Sequence, residues 1–116
     1  MAELTKEELT IAIVSCKGHP RLAGIDLSGL DMRAFSLEKA DLRGADLTDS
    51  DLTHATLNGA LLDNAKLIRA TLRFAELTGA SFTGADLTGS DLGGAKEANI
   101  THSQYISLGY KPDGER

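Results

Sequence analysis

A large apolar residue recurs at every fifth position through most of this chain, and the residue two places before it is usually small. A strand alternates every second residue and a helix returns to one face after three or four, so neither period accounts for this spacing. Fifteen such centres follow one another, and thirteen of them are leucine. They are Leu22, Leu27, Met32, Leu37, Leu42, Leu47, Leu52, Leu57, Leu62, Leu67, Leu72, Leu77, Phe82, Leu87 and Leu92. A backbone that turns a corner once per repeat brings all of them onto a common axis.

The positions around each centre predict which side chains face inward. The residue two places earlier is Ala or Ser in every repeat from Ala40 to Ala95, and Gly often follows two places after the centre. A turn with positive φ favours glycine at that place. We predict that the centre and the small residue point inward, and that stacked coils pair their backbones at roughly 4.8 Å. The predicted core includes Leu27, Leu47, Leu67, Leu87, Phe82 and Phe35.

The segments "ADLRG", "ADLTD", "ATLNG", "AELTG" and "ADLTG" carry the clearest copies of the repeat. This pattern resembles the pentapeptide-repeat family, whose motif is Ala, then Asp or Asn, then Leu and two variable residues. The resemblance implies an all-β solenoid, a right-handed quadrilateral β-helix with four repeats in each coil. Fifteen centres then correspond to a little under four coils.

The N-terminal residues predict a helix over residues 4–17. Thr5 is the predicted N-cap, and Glu8 three residues later completes a capping box. Apolar residues follow at spacings of three and four, and Gly18 and Pro20 favour a stop. The predicted apolar face comprises Leu9, Ala12, Ile13 and Cys16.

We expect this helix to cap the first coil. Large residues replace the small one there, at Ile25, Leu30 and Phe35, and an uncapped coil exposes unpaired backbone groups. The predicted organisation is a capping helix, the repeat β-helix, a degenerate last coil or C-terminal cap, and a disordered tail. These segments are residues 1–19, 20–95, 96–110 and 111–116.

The repeat breaks at Glu97, where a centre is due and an unpaired carboxylate is too costly to bury. The motif restarts out of frame at residues 98–100, and Tyr105 and Tyr110 follow. A last coil, a cap and an interface between two rods all remain open for this segment. We accordingly expect either a monomer or a homodimer joined at its C-terminal ends.

Composition and charge narrow the classes of function. The formal charge is −5 and the pI is about 5.1, which disfavours direct nucleic-acid binding because phosphates are neutralised by basic surfaces. The lone Cys16 offers neither an internal disulfide nor a redox pair. The N-terminus lacks the basic start of a secretory signal, and no run approaches the roughly 20 apolar residues of a membrane span. A cytoplasmic location without membrane contact is the default expectation.

Candidate catalytic and metal-binding groups are few. His19, His54 and His102 are far apart and lack the local spacing of a metal-binding pair. The segment "GSDLGGAK", residues 89–96, lacks the full glycine spacing of a phosphate loop, and no Ser or Thr follows its lysine. We predict no enzymatic activity, no metal and no cofactor.

Aspartates before the centres are predicted to stack along two sides of the solenoid. Asp is the common residue at this motif position, so a solvated consensus face explains most of the pattern. The alternative is a functional acidic face, since some long members of the family mimic DNA in this way and engage DNA gyrase. This chain has fewer regular coils than those members. The predicted acidic face comprises Asp26, Asp31, Asp46, Asp51, Asp86 and Asp91.

The segment "AKLIRATLRFAEL", residues 65–77, interrupts both acidic stacks. Outward apolar residues flanked by basic ones are typical of a small contact site, although scattered surface apolar residues are also ordinary. The candidate partner-binding residues are Lys66, Ile68, Arg69, Arg73 and Phe74. The sequence thus favours a non-enzymatic protein–protein interaction or scaffold module with a protein partner of unknown identity. The alternative is a DNA-mimicking modulator of DNA gyrase or of another DNA-binding protein.

Overall fold

A computed structural model describes residues 5–15 and 19–96 of the chain. Within these residues one helix, α1, extends over Lys6–Ser15, inside the predicted helical segment. The Glu8 backbone N–H donates to the Thr5 hydroxyl at 3.1 Å, and the Thr5 N–H donates to Glu8 Oε1 at 2.9 Å. This reciprocal pair is the predicted capping box, and it satisfies two donors at the start of α1.

The chain after α1 winds into stacked coils of twenty residues. Twelve isolated parallel β-bridges each join a residue to the one twenty positions later. We number the coils 1 to 4, and they comprise residues 21–40, 41–60, 61–80 and 81–96. Each complete coil has four sides, and each side contributes one bridging residue rather than a longer strand. A side of five residues explains why the sequence period fits neither a helix nor an ordinary strand.

Backbone hydrogen bonds connect successive coils. Between coils 2 and 3, the Leu47 N–H donates to the Lys66 carbonyl at 2.7 Å, and the Lys66 N–H donates to the Ala45 carbonyl at 2.9 Å. A further bond near the corner joins the Asp49 N–H to the Ile68 carbonyl at 2.9 Å. Because these bonds satisfy the polar groups of the backbone, a narrow solenoid can exclude water from its axis.

Each side ends in a four-residue turn. In one such turn the Ser50 N–H donates to the Leu47 carbonyl at 3.0 Å, and Asp49 at the third position has a φ of 61°. The corner residue has positive φ in all fifteen repeats from Gly24 to Gly94. Glycine occupies eight of these corners, as the turn prediction requires, and other residues occupy seven. The seven are Ala34, Lys39, Asp49, His54, Asn64, Arg69 and Phe74.

The repeat centres form one continuous core. Four leucines that were predicted to lie in it are fully buried, and Phe82 is 2% exposed. These leucines are Leu27, Leu47, Leu67 and Leu87. Ser50 and Ser90 occupy the small inward position and are buried, and each hydroxyl donates to the carbonyl of the leucine three residues earlier. Alternating large and small side chains therefore fill the axis with their polar atoms satisfied.

The first coil and α1 pack together at the N-terminal end. Leu9 of α1 is fully buried, and Ile13 packs against the same core. Ile25, Leu30 and Phe35 are only partly buried, which corrects the prediction that Phe35 lies inside the core. These side chains stand where later coils have Ala or Ser, and they are partly buried and pack against the core.

Ala12 was predicted to share the packed face of α1, and this is wrong because it is exposed. Thr10 and Ile13 line a groove of about 220 Å³ together with Phe35. Leu9 and Ile13 thus make the contact with the core, and the groove lies on the Thr10 side of α1. At 100° per residue, Ala12 lies on the other side of Leu9 and faces away from the coil.

Several predictions concern segments outside the described residues. They involve Cys16, Gly18, Glu97, Tyr105, Tyr110 and the segments 98–110 and 111–116. In the part of the chain that the structure describes, no helix is long and apolar enough to cross a membrane.

Candidate interaction surface

Aspartates at the bridging position hold the turns together. The Asp51 carboxylate accepts a hydrogen bond from the Thr53 backbone N–H at 3.0 Å and another from the Thr53 hydroxyl at 2.6 Å. Asp46 accepts the N–H of Thr48 in the same way at 3.0 Å. The same bond to the residue two positions later is made by Asp26, Asp31, Asp41, Asp86 and Asp91. Side-chain acceptance of a nearby N–H is the mechanism by which Asp favours turns, so these carboxylates have a structural role.

Hydrogen bonds to the ionised carboxylates lower their pKa values. The two side-chain hydrogen bonds from Arg43 lower the pKa of Asp41 to about 2. The Arg33 guanidinium holds the pKa of Asp31 well below its ordinary value. Hydrogen bonds to the charged form stabilise it, so these groups remain ionised at neutral pH.

The predicted acidic face consists of two columns on neighbouring sides of the solenoid. Asp26 is bridged to Asp46, and Asp31 is bridged to Asp51. Coil 3 interrupts both columns, at Lys66 and Thr71, before Asp86 and Asp91 continue them on coil 4. Basic side chains also lie on these columns, since Arg33 approaches Asp31 at 2.9 Å and Asp51 at 3.8 Å. The columns are therefore short and partly neutralised.

Corner side chains of coil 3 lie over glycines of coil 4. A Cβ atom added to Gly94 would lie 2.5 Å from Cδ1 of Phe74, and one added to Gly89 would lie 3.4 Å from Cγ of Arg69. Asn64 covers Gly84 in the same manner, and Arg73 covers Gly93. These side chains of coil 3 therefore lie against the next coil at places where glycine leaves room for them.

Phe74 is an exposed aromatic residue in a strained backbone conformation. Its φ is 59°, which an aromatic residue rarely adopts, and the residue is 46% exposed. The ring stacks on the His54 ring with centroids 5.1 Å apart and planes inclined by 14°. The Arg73 guanidinium carbon lies 5.4 Å from the Phe74 centroid, within the range of a cation–π contact. These contacts hold the ring in place at the surface.

Charged side chains surround this ring, and we call the group the Phe74 corner. Arg73 approaches Asp91 at 3.1 Å on the side before the corner. Glu76 and Lys96 are bridged to each other on the side after it. A cleft of about 340 Å³ lies there. Its lining consists of His54, Phe74, Glu76, Gly94 and Lys96. The Phe74 corner thus combines an apolar centre with two cations and two anions.

The structure divides the predicted partner-binding residues into two groups. Arg73 and Phe74 belong to the Phe74 corner, whereas Lys66, Ile68 and Arg69 lie on the preceding side and its corner. Ile68 was predicted to be an exposed outward residue, but it is half-buried. Arg69 is engaged in an ion pair with Asp49 of coil 2 at 2.8 Å.

Three members of the Phe74 corner were not predicted from the sequence. His54 lies at the same corner as Phe74 because the two are twenty residues apart, and Glu76 and Lys96 share a side for the same reason. The twenty-residue register was sufficient to find them, but the prediction applied it only to the two sides that carry the aspartate columns. Within residues 5–15 and 19–96, no three His, Cys, Asp or Glu side chains form a group that could hold a metal ion.

Comparisons with known proteins agree with this architecture. The family model "Pentapeptide repeats" matches residues 21–59 and 57–94 with eight copies. A crystal structure of alr5209, a pentapeptide repeat protein from Nostoc PCC 7120, is 30% identical with a TM-score of 0.74, and the match covers 79% of this chain and 74% of that one. A pentapeptide repeat protein from the Arabidopsis thaliana thylakoid lumen is 25% identical with a TM-score of 0.51, over 82% and 77% of the two chains.

No match was found among curated proteins, so the comparisons concern family and fold. The family forms right-handed β-helices, and a register of twenty residues is that of a four-sided coil built from five-residue sides. The motif predicted from the repeats is confirmed over most of the length of the chain. This chain belongs to the pentapeptide-repeat family.

Proposed function

We propose that this chain is a non-enzymatic protein–protein interaction module and that the Phe74 corner is its contact surface. Pentapeptide repeat proteins are generally structural or interaction modules. The observation that carries the proposal is Phe74 itself, a large aromatic residue that is half-exposed at a position where the backbone favours glycine.

The conformation of Phe74 has an energetic cost that the fold does not require. A non-glycine residue in the left-handed region costs roughly 1–2 kcal/mol, and eight of the fifteen corners avoid this cost with glycine. Because the ring is only half-buried, its burial recovers part of that energy. Strained residues cluster at sites where function requires them, and exposed aromatic and arginine side chains dominate protein interfaces. Phe74 beside Arg73 fits both descriptions.

The solenoid supports this role because it holds the contact residues in place before a partner arrives. Hydrogen bonds fix the backbone on either side of Phe74, since the Phe74 N–H donates to the Gly93 carbonyl at 2.9 Å and the His54 N–H donates to the Arg73 carbonyl at 2.9 Å. A preorganised surface loses less entropy on binding than a flexible one. The Phe74 corner is thus suited to recognition without a prior folding step.

The proposal includes a capping role for α1. Burial of Leu9 supports it, as does the ion pair between Lys6 and Asp31 at 3.1 Å. Covering the open end of coil 1 prevents its edge from pairing with other chains. Recognition is then directed to the Phe74 corner rather than to the N-terminal end of the rod.

The short acidic columns favour an interaction module over a DNA mimic. A DNA mimic needs a regular row of available carboxylates, whereas Lys66 and Thr71 interrupt the columns here, and Arg33 and Arg73 partly neutralise them. We accordingly expect the full chain to leave supercoiling by DNA gyrase unchanged at micromolar concentration. Inhibition that is lost on replacing both Asp46 and Asp51 with Asn would instead favour the DNA-mimic hypothesis.

Site-specific photo-crosslinking tests the contact surface directly. Phe74 is replaced by p-benzoylphenylalanine in the full chain, and the same replacement at the exposed Thr83 serves as the control. We expect illumination of living cells to yield discrete protein adducts from position 74 that are absent from position 83. The Arg73→Ala change in the same background should reduce them. Equal adduct patterns from both positions would contradict the proposal.

A further inference from the structure

We infer that the Phe74 corner binds a second copy of this chain, in a symmetric pair whose twofold axis passes through Phe74. This inference rests on the proposed function and names the partner. The axis points outward from the corner, perpendicular to the axis of the coils. It exchanges the two sides that meet at Phe74 and reverses the order of the coils.

The charges nearest Phe74 are complementary under this symmetry. Arg73 immediately precedes the corner, and Glu76 follows it by two residues on the same coil. Because the axis exchanges the two sides at the level of coil 3, Arg73 of each copy faces Glu76 of the other. The two hydrogen bonds from Arg73 to Asp91 both leave from Nη1, so the remaining donors of the guanidinium are available for a second carboxylate.

The next charges along the rod are complementary as well. Lys96 lies one coil after Glu76 on the side that follows the corner, and Asp51 lies one coil before Phe74 on the side that precedes the corner. The reversal of coil order places Lys96 of each copy opposite Asp51 of the other. Asp91 is placed opposite the neutral Thr56 by the same operation. The symmetric pair thus places opposite charges face to face at four points. The two points at Asp51 contribute less than the two at Glu76, because Arg33 of the same copy already lies 3.8 Å from Asp51.

The charges also select this axis over its nearest alternative. An axis between coils 3 and 4 would place Arg73 opposite Lys96 and Glu76 opposite Asp91, which brings like charges together. Like-charge contacts suppress the wrong register of an interface. The ring of Phe74 remains at the centre only when the axis passes through coil 3, where it meets the same ring of the second copy.

The distribution of charge over the surface also favours a second copy as the partner at this corner. The chain has a formal charge of −5, so most faces of two copies repel each other. The Phe74 corner is locally balanced, with Arg73 and Lys96 against Glu76 and Asp91. A contact between two corners is smaller than the roughly 1,200 Å² of a stable interface, so we expect a weak dimer that depends on concentration.

Sedimentation equilibrium with charge-reversed variants tests the inference. We expect the full chain to dimerise reversibly at concentrations up to about 1 mM. Arg73→Glu brings carboxylates together across the axis, and Glu76→Arg brings guanidinium groups together. The dissociation constant of the dimer should therefore rise at least tenfold in each variant alone. An equimolar mixture of the two should restore it, because each introduced charge then meets its opposite. Arg43→Glu, at a distance from the corner, is the matched control and should retain the dimer.

Each remaining outcome overturns the inference. A full chain that is monomeric at about 1 mM has no such pair. A dimer that survives both single reversals uses another surface, and loss without recovery in the mixture excludes the twofold arrangement. Circular dichroism of each variant ensures that these results concern folded protein. If the chain is monomeric while position 74 crosslinks to a different protein, the proposed function stands and this inference fails.

Discussion

Phe82 and Phe74 are eight residues apart and have opposite roles in the same solenoid. Phe82 occupies a repeat centre, is 2% exposed and replaces a leucine of the core. Phe74 occupies a corner, is 46% exposed and adopts a φ of 59°. The ring of Phe82 gains the full energy of burial, whereas the ring of Phe74 gains part of it and adds backbone strain. The position within the five-residue repeat therefore decides whether a side chain builds the fold or is displayed on its surface.

The largest expected effect comes from the same substitution at both phenylalanines. Phe82→Asp removes roughly 1.5–3 kcal/mol of burial and leaves a carboxylate without a partner in the core, so we expect the chain to unfold. Phe74→Asp should change the free energy of unfolding by less than about 1 kcal/mol, because Asp49 already occupies such a corner. Far-UV circular dichroism and urea denaturation measure both effects. A folded Phe82→Asp chain would refute the inward assignment of the repeat centres.

A smaller effect is expected where a corner side chain rests on glycine. Gly24→Ala meets nothing within 4 Å and should cost only the strain of positive φ, about 1–2 kcal/mol. Gly94→Ala should cost about 1–3 kcal/mol more, because its Cβ would lie 2.5 Å from the Phe74 ring. Urea denaturation gives both values.

A double-mutant cycle checks the origin of that difference. In a Phe74→Gly background the ring is absent, so Gly94→Ala should cost no more than Gly24→Ala. An additional cost that persists without the ring would mean that the backbone of coil 4, rather than Phe74, excludes a side chain at this corner.

Lowering the pH should reduce the stability of the fold gradually, as the aspartates of the turns are protonated. The folded-state pKa values of Asp31, Asp41 and Asp86 are lowered, so the unfolded chain binds more protons than the folded chain below about pH 5. We expect this contribution to stability to be complete at neutral pH and to be lost as the pH falls from about 5 toward 2. Thermal melts across that range measure the decline.

Asp41→Asn provides the control for the acid experiment. The amide oxygen can still accept the Arg43 backbone N–H, but the side chain no longer titrates. The variant should therefore show a shallower decline in melting temperature with acid than the unmodified chain. An identical decline would mean that Asp41 contributes nothing to the pH dependence.

The core of the solenoid could be predicted from the sequence because its constraint is repeated. Each centre occupies the same environment, so a single rule places Leu27, Leu47, Leu67 and Leu87 correctly. The capping box was also local, since Thr5 and Glu8 satisfy each other within one turn. Prediction succeeded wherever a residue and its partners shared one repeat or one helical turn.

The candidate site was predicted less well because its geometry depends on side chains of different coils. Phe74 leans over Gly94 of coil 4, where a Cβ atom would lie 2.5 Å from the ring, and the sequence pattern indicated only a turn at that glycine. The half-burial of Ile68 and the exposure of Ala12 likewise depend on how neighbouring coils and the helix are oriented relative to each other. A pattern that places residues on sides gives no information about the angle at which a side chain leaves the surface.

The free energy of unfolding of Phe74→Gly, measured by urea denaturation, distinguishes a phenylalanine displayed for binding from one that stabilises the fold. Glycine relieves the strain at φ 59° while the contacts to His54 and Gly94 are lost, so the account predicts a change within about 1 kcal/mol. Asn64→Gly, two corners away on the same coil, is the matched control for strain relief. A loss of about 3 kcal/mol or more, as for a buried phenylalanine, would contradict the account, because Phe74 would then serve the stability of the fold.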